Sequence, residues 1–260
     1  MMSAISKDLA TDLSTFYERS LHDEFRTPEP GHLNQRTKLV HGTVYSEKLA
    51  SSTRFSYALQ PKLENGKGAK KPVVVLTATK DNKSKSPFII KNAETEKEVG
   101  RVMLQFKTMK YISYAVFRGD LQVASIVYHV PTIRNFLSLD PPRMAQVAIP
   151  DPIEKNPTWL ADVCKDSILQ KGSLNAVADE SPGLVLLQNA VPYKKPDGSL
   201  GLNFYGRGQQ ASCRNMQLID TNETVVCQVA KWDTCVHNVD FASPFSSFLA
   251  FAFALAQLDL

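Results

Sequence analysis

Apolar positions change their spacing along this chain, and each spacing predicts a different element. Leu9, Leu13, Phe16, Tyr17 and Leu21 recur at helical intervals behind Ser6, a plausible cap. Residues 6–26 therefore read as one amphipathic helix, ended by the Thr27–Gly31 stretch TPEPG. From about residue 39 the pattern shortens into strand-like runs: Arg54–Leu59, Pro72–Thr79, Pro87–Lys91, Val99–Phe106, Tyr111–Phe117, Leu121–Val130, Met144–Ile149, Gly183–Leu187, Leu200–Tyr205, Met216–Ile219 and Thr224–Ala230. Arg118-Gly119-Asp120 and Asp197-Gly198 supply turns between them. Many short strands at this spacing predict a sandwich or a barrel.

The final run has a different character. Phe248 to Leu258 reads FLAFAFALAQL, with Gln257 its only polar residue. Ser243 ahead of it offers a capping oxygen, and Pro244 suits a first helical position, where the missing N–H costs nothing. The alternation of Phe and Ala also fits a strand, but alanine favours helices and is depleted in strands. A helix apolar on every face must be buried on every face. It falls short of the ~20 residues that span a bilayer, so a protein core is its expected home. Enclosing one helix in a strand-rich chain calls for a wide barrel. Between the runs, Pro61–Lys71 (PKLENGKGAKK) and residues 151–160 read as solvated loops.

Several motifs add a family resemblance. Leu202-Asn203-Phe204-Tyr205-Gly206-Arg207, followed by Gln210-Ala211-Ser212 and Arg214-Asn215, resembles the LNF-x-GR…QAS…KN motif of the tubby C-terminal domain. The closing segment, with Asp240, Pro244, Ala250-Phe251-Ala252, Ala254-Leu255 and Asp259, is similar too. So are Leu187-Gln188-Asn189 with Pro192, Pro142-Arg143-Met144 with Ile149-Pro150, and Lys83-Ser84-Lys85 with Phe88-Ile89-Ile90. The matches run in order from about position 40 to the end, more loosely over 151–182. The resemblance implies a mostly β fold, a closed antiparallel barrel around a central hydrophobic C-terminal helix. That barrel would occupy residues 39–260. Residues 1–38 would form a helical extension that engages a partner or packs on the barrel.

Composition narrows the function. Hydrophobic content of 43% and charged content of 22% suit a globular chain with a sizeable core. A net charge of +4 fits an anionic partner but falls short of the usual nucleic-acid binder. Cys164, Cys213, Cys227 and Cys235 show no C-x-x-C spacing, and MMSAISKDLA lacks a basic region followed by an apolar core. Reduced thiols and a cytoplasmic setting are expected. The histidines His22, His32, His41, His129 and His237 have no metal-ligand spacing, and no G-x-S-x-G elbow occurs. No catalytic residue, metal or cofactor is expected. Gly206 to Ala211 matches G-x-G-x-x-A, but its strand-rich context builds no βαβ unit, so a β-turn or bulge is expected there.

Phosphate chemistry is the remaining candidate. Val99–Lys107 (VGRVMLQFK) alternates, with Val102, Leu104 and Phe106 on one face and Arg101, Met103, Gln105 and Lys107 on the other. In tubby domains a G-K-x-R stretch at this place grips the phosphates of phosphatidylinositol 4,5-bisphosphate. The resemblance gives that role to Arg101, whose planar guanidinium suits phosphate. Met103 stands at the second basic position, and Ser86-Pro87 replaces an asparagine of the family. Lys85, Lys107 and Arg143, with Lys110, are the cations expected to compensate.

The expected function is that of a monomeric, non-enzymatic, phosphoinositide-binding peripheral adaptor with an altered lipid site. By resemblance its partners are anionic phosphoinositides and intraflagellar transport or other adaptor proteins. Its expected place is the cytoplasmic face of the plasma membrane or the cilium. The alternative is a protein-interaction or transcription-associated regulator, in the nucleus, that has lost phosphoinositide binding. A lipid scramblase, built on a related barrel, would carry the terminal helix outside it.

Overall fold

The computed structural model describes residues 39–60, 71–82, 85–130, 144–150, 183–196, 198 and 200–260. The extension 1–38 with its helix over 6–26, the loop residues 61–70, the 151–160 segment and Arg143 lie outside the described residues.

Twelve strands close into one antiparallel barrel. In chain order they begin with β1 (Val40–Lys48), β2 (Ser52–Leu59), β3 (Val73–Asp81), β4 (Phe88–Asn92), β5 (Glu98–Lys107), β6 (Tyr111–Arg118) and β7 (Leu121–His129). They continue with β8 (Met144–Pro150), β9 (Leu184–Asn189), β12 (Met216–Ile219), β13 (Val225–Asp233) and β14 (Val236–Phe241). Around the ring the order is β1-β14-β13-β12-β9-β8-β7-β6-β5-β4-β3-β2. Two short strands, β10 (Tyr193–Lys194) and β11 (Leu200–Gly201), pair separately.

A barrel of about eight strands is filled by its own side chains, whereas twelve leave an open interior. The helix α1 (Ser247–Asp259) fills it; with side chains a helix is about 10–12 Å wide. Every residue from Phe248 to Gln257 is buried, including Phe251 and Leu255. Tyr57 of β2 stacks on Phe251 with ring centroids 5.3 Å apart and planes at 10°. Gly42 makes room for that ring, since a Cβ there would lie 2.4 Å from it. Gly100 does the same for Phe248, one turn nearer the helix N-terminus. Asp259 at the helix's C-terminal end is tied to Lys80 of β3 and accepts from Tyr114 Oη of β6 at 2.9 Å. Among the described residues no helix is long and apolar enough to cross a membrane.

Some local expectations are corrected. The N-cap is Ser246, whose Oγ accepts from Leu249 N–H at 3.3 Å. Ser243 and Pro244, joined by a cis peptide bond, belong to the preceding turn, in which Phe245 N–H reaches Ala242 O at 2.9 Å. The Leu200–Tyr205 run pairs only through Leu200 and Gly201 before the chain turns away. On β5 the alternation breaks at a β-bulge between Leu104 and Phe106. An extra residue at a bulge moves the following side chains to the opposite face. Phe106 consequently packs with Val127 and Ala148 in a satellite cluster separate from the main core.

Candidate functional site

Arg101 and Met103 project outward from β5, while Gly100 and Val102, which alternate with them, face α1 and the core. Arg101 lies between Ile89 of β4 and Phe117 of β6 in the sheet register. Its guanidinium sits 5.3 Å from the Phe117 ring centroid, a cation–π contact. Its Nη2 approaches Asp120 Oδ1 at 3.5 Å, and that aspartate is fully exposed on the β6–β7 turn. Arg101 Nε is buried with no hydrogen-bond partner. Met103, two residues on, is 38% exposed and donates nothing to an anion.

The other expected cations stand elsewhere. Lys107 follows the bulge and lies roughly 20 Å from Arg101 along the strand, at ~3.3 Å per residue. Lys85 precedes β4 and comes to the same end of the barrel as Lys107, because β4 and β5 run antiparallel. Both line a cavity of ≈ 2100 Å³ at the mouth that surrounds the C-terminal end of α1. The structure thus brings Lys85 and Lys107 together and keeps Arg101 apart on the outer wall. Among the described residues no group of three or more His, Cys, Asp or Glu side chains is placed to hold a metal.

A second arginine is positioned quite differently. The segment Asn203–Asn215 folds over the outside of β13, β14 and β1. Tyr205 and Gly206, at φ +51° and +81°, turn the chain so that Arg207 N–H meets Phe204 O at 2.9 Å. The G-x-G-x-x-A glycines thus serve a turn and do not open a helix. Asn238 Nδ2 holds Arg207 O at 2.8 Å, and Gln217 Nε2 holds Asn203 O at 2.9 Å. Arg207 then reaches Asp240 of β14 through Nη2 at 2.7 Å and Nε at 3.0 Å, and Gly42 O through Nη2 at 2.9 Å.

Asp240 is completely buried, and Gln228 Nε2 at 2.8 Å, Gly42 N–H at 3.2 Å and His41 Nδ1 at 3.3 Å complete its partners. Burial alone raises a carboxyl pKa. Here the hydrogen bonds from His41 and Arg207, the Arg207 charge and the Gln228 amide outweigh it and hold the group below the ordinary value. Arg207 and Asp240 were legible as motif residues, but their pairing was not. A lone carboxylate inside the apolar-rich run Val236–Phe241 is the signal that a buried cation must cover it.

Comparison with known proteins agrees with this architecture. The sequence model of the Tub family matches residues 32–260. The chain is 35% identical over 83 residues to human "Tubby-related protein 2", covering 31% of this chain and 16% of that protein. It is 30% identical over 143 residues to "Protein king tubby" of Anopheles gambiae, covering 54% and 30% respectively. It is 29% identical over 158 residues to "Tubby protein homolog 1" of Caenorhabditis elegans, covering 57% and 35%. The matched regions span about a third or less of these relatives' lengths. With a barrel closed around its own C-terminal helix and a family match across nearly the whole chain, this protein belongs to the Tub family.

Proposed function

We propose that this protein is a peripheral membrane adaptor that reads phosphoinositide phosphates on the outer face of β5, through Arg101. The observation that carries the reading is the state of that guanidinium. It is held outward against Phe117, and among the described residues its ionic partner is a fully solvated carboxylate and its Nε has no hydrogen-bond partner. A phosphate oxygen can replace Asp120 at little cost, because an exposed ion pair contributes only ~0–1 kcal/mol. Met103 beside it removes the second cation of the family pattern, so affinity for a bisphosphate is weakened. Docking on anionic cytoplasmic leaflets, where each basic residue near the surface contributes about 1 kcal/mol, gives the adaptor a reversible membrane address. Protein partners, including transport adaptors of the cilium, belong to the same reading.

Vesicle cosedimentation with a panel of phosphoinositide isomers tests it. Arg101→Ala should weaken binding, and Met103→Arg should strengthen it and sharpen preference for the bisphosphate by restoring a guanidinium two residues along the same face. The Arg variant should also lose more binding when salt is raised. Wild type that ignores every phosphoinositide, with no gain from Met103→Arg, would favour the second reading. Met103 is the observation on its side: a protein-interaction or transcription-associated regulator would have no need of that second cation.

A further inference from the structure

Two adjacent strands and the turn beside them bring a row of nitrogen-bearing side chains to the barrel mouth. Lys231 of β13 and His237 of β14 are register partners, in line with the inward-facing core residues Val229 and Val239. Arg214 precedes Met216 by two residues. Met216 is a core residue paired with Val229, and Arg214 lies in the Ser212–Asn215 turn that leads into it, where its carbonyl O meets Gln257 of α1 at the barrel mouth. Lys231 and His237 stand about 4.8 Å apart across their strands, and the charge of Arg214 reaches His237 from the turn beside them.

None of these groups is matched by an anion among the described residues. His237 is only 4% exposed, and neither of its ring nitrogens has a hydrogen-bond partner. Arg214 Nε is likewise buried and unpartnered. From the helix side, Gln257 donates to Arg214 O at 3.1 Å while its own Oε1 is left without a donor. The nearby carboxylates are engaged elsewhere: Asp233 with the Thr234 N–H at 2.7 Å, Asp259 with Lys80 and Tyr114, and Asp240 with Arg207 on the outer side of the wall. The field of this row is visible at His237, where burial first, then the charges of Arg214 and Lys231, push the imidazole pKa down to about 4. Arg214 and His237 both line the ≈ 2100 Å³ cavity at the mouth, so a ligand there needs only side-chain adjustment to reach them.

Buried polar groups are normally satisfied, and unpaired buried charge is costly. What would satisfy this row is a group offering several acceptor oxygens to donors on separate strands, and an O–H for Gln257 Oε1. A tetrahedral phosphate group that keeps one proton offers both. Sulfate at neutral pH offers acceptors alone, and a carboxylate has only two oxygens in a plane. We infer that the Arg214–Lys231–His237 row, backed by Gln257, is a binding site for a phosphate group, carried by a small phosphorylated molecule or by a phosphomonoester lipid. This site is independent of the Arg101 face.

The test is a histidine-resolved NMR titration of the full chain with inorganic phosphate, and with sulfate for comparison, at pH 6.5. Phosphate should move the His237 ring resonance saturably, bind several-fold tighter than sulfate, and raise the His237 titration midpoint from its low value. Arg214→Gln should weaken phosphate binding tenfold or more, whereas Lys97→Gln, on the exposed β4–β5 turn, should leave it unchanged. Cosedimentation with phosphatidylcholine vesicles containing phosphatidic acid separates the sources. Retention that depends on Arg214 identifies a lipid phosphate, and absence of retention beside a soluble phosphate response identifies a small molecule. Should Arg214→Gln fail to fold, the wild-type titration and a weakened His237 response in Lys231→Gln carry the test. A His237 resonance indifferent to phosphate, or a folded Arg214→Gln that binds it as tightly as wild type, would overturn the site.

Discussion

Two arginine–aspartate pairs lie nearly opposite each other around this ring of strands, and they share chemistry but little else. Arg207 and Asp240 meet at 2.7 Å beneath a loop, with the carboxylate entirely buried. Arg101 and Asp120 stand 3.5 Å apart at the rim of a hairpin, with the carboxylate entirely exposed. Burying a charge is expensive, so the first pair persists only because Gln228, His41 and the Gly42 amide satisfy the remaining oxygen lone pairs. In the second pair the carboxylate stays in water and the ion pair holds it loosely. An arginine locked into a network pins its loop across β14 and β1, whereas an arginine with a solvated partner has a replaceable one. Resemblance highlighted both residues, but only their surroundings distinguish the roles.

The largest effect should come from breaking the buried pair. Arg207→Met leaves Asp240 desolvated without its main cation, and such losses cost ~3–5 kcal/mol. That is about the cost expected for Phe251→Ala, which empties the middle of α1. The two should differ in a double-mutant cycle. Asp240→Asn and Arg207→Met share one network and should be strongly non-additive, whereas Phe251→Ala lacks a direct hydrogen bond to it and should couple less. Urea melts at constant m-value give these numbers. An Arg207→Met protein within 1 kcal/mol of wild type would show that this pair does not hold the loop against the β14–β1 seam.

Acid should act on the same side of the molecule, in two separate windows. His237 titrates near 4 when folded and near 6.5 in the unfolded chain. The unfolded state therefore takes up its proton first as pH falls. Its stabilisation is complete above about 6.5 and is lost between 6.5 and 4, amounting to about 2 kcal/mol by pH 5. Asp240, with its pKa lowered, contributes stability that is present above the ordinary carboxylate value of 3.8 and is lost only below it. Wild type in phosphate-free buffer should thus soften between pH 6.5 and 5, and His237→Leu should lose that softening while keeping the collapse below pH 4. Equal slopes for both proteins between pH 6.5 and 5 would remove His237 from the account.

The same contrast explains what could be read from the sequence. The helix α1 and most strands were legible because each buries one kind of side chain at one period. β1 and β14 were not among the predicted runs, and the reason is physical. Their outward positions His41, Thr43, Asn238 and Asp240 carry the hydrogen bonds and ion pairs of the network, partly beneath the loop, while His237 spoils the apolar inward face. Polar residues on both faces erase the alternation that announces a strand. On β5 the alternation was legible but its phase was not, since no residue type in Leu104-Gln105-Phe106 announces a bulge. Arg101 could be placed on a strand face from sequence; its partner Asp120, on the next turn but one, needed the fold.

The smallest effect on stability is expected from Asp120→Asn, and it sharpens the comparison most. The aspartate is fully solvated and 3.5 Å from its partner, so removing its charge should change folding stability by less than ~0.5 kcal/mol. Binding should respond in the opposite sense to the Arg207 network, where neutralising the carboxylate destabilises the protein. Without Asp120 as competitor, Arg101 presents its full charge to an approaching phosphate, and affinity for phosphoinositide vesicles should rise several-fold, most visibly at low salt, where exposed charges are least screened. Combined with Arg101→Ala, the gain should vanish, because the carboxylate acts through that guanidinium. A gain that persists in the double variant would mean that Asp120 merely repels the anionic membrane surface. The lipid contact on this wall would then have to be sought away from Arg101.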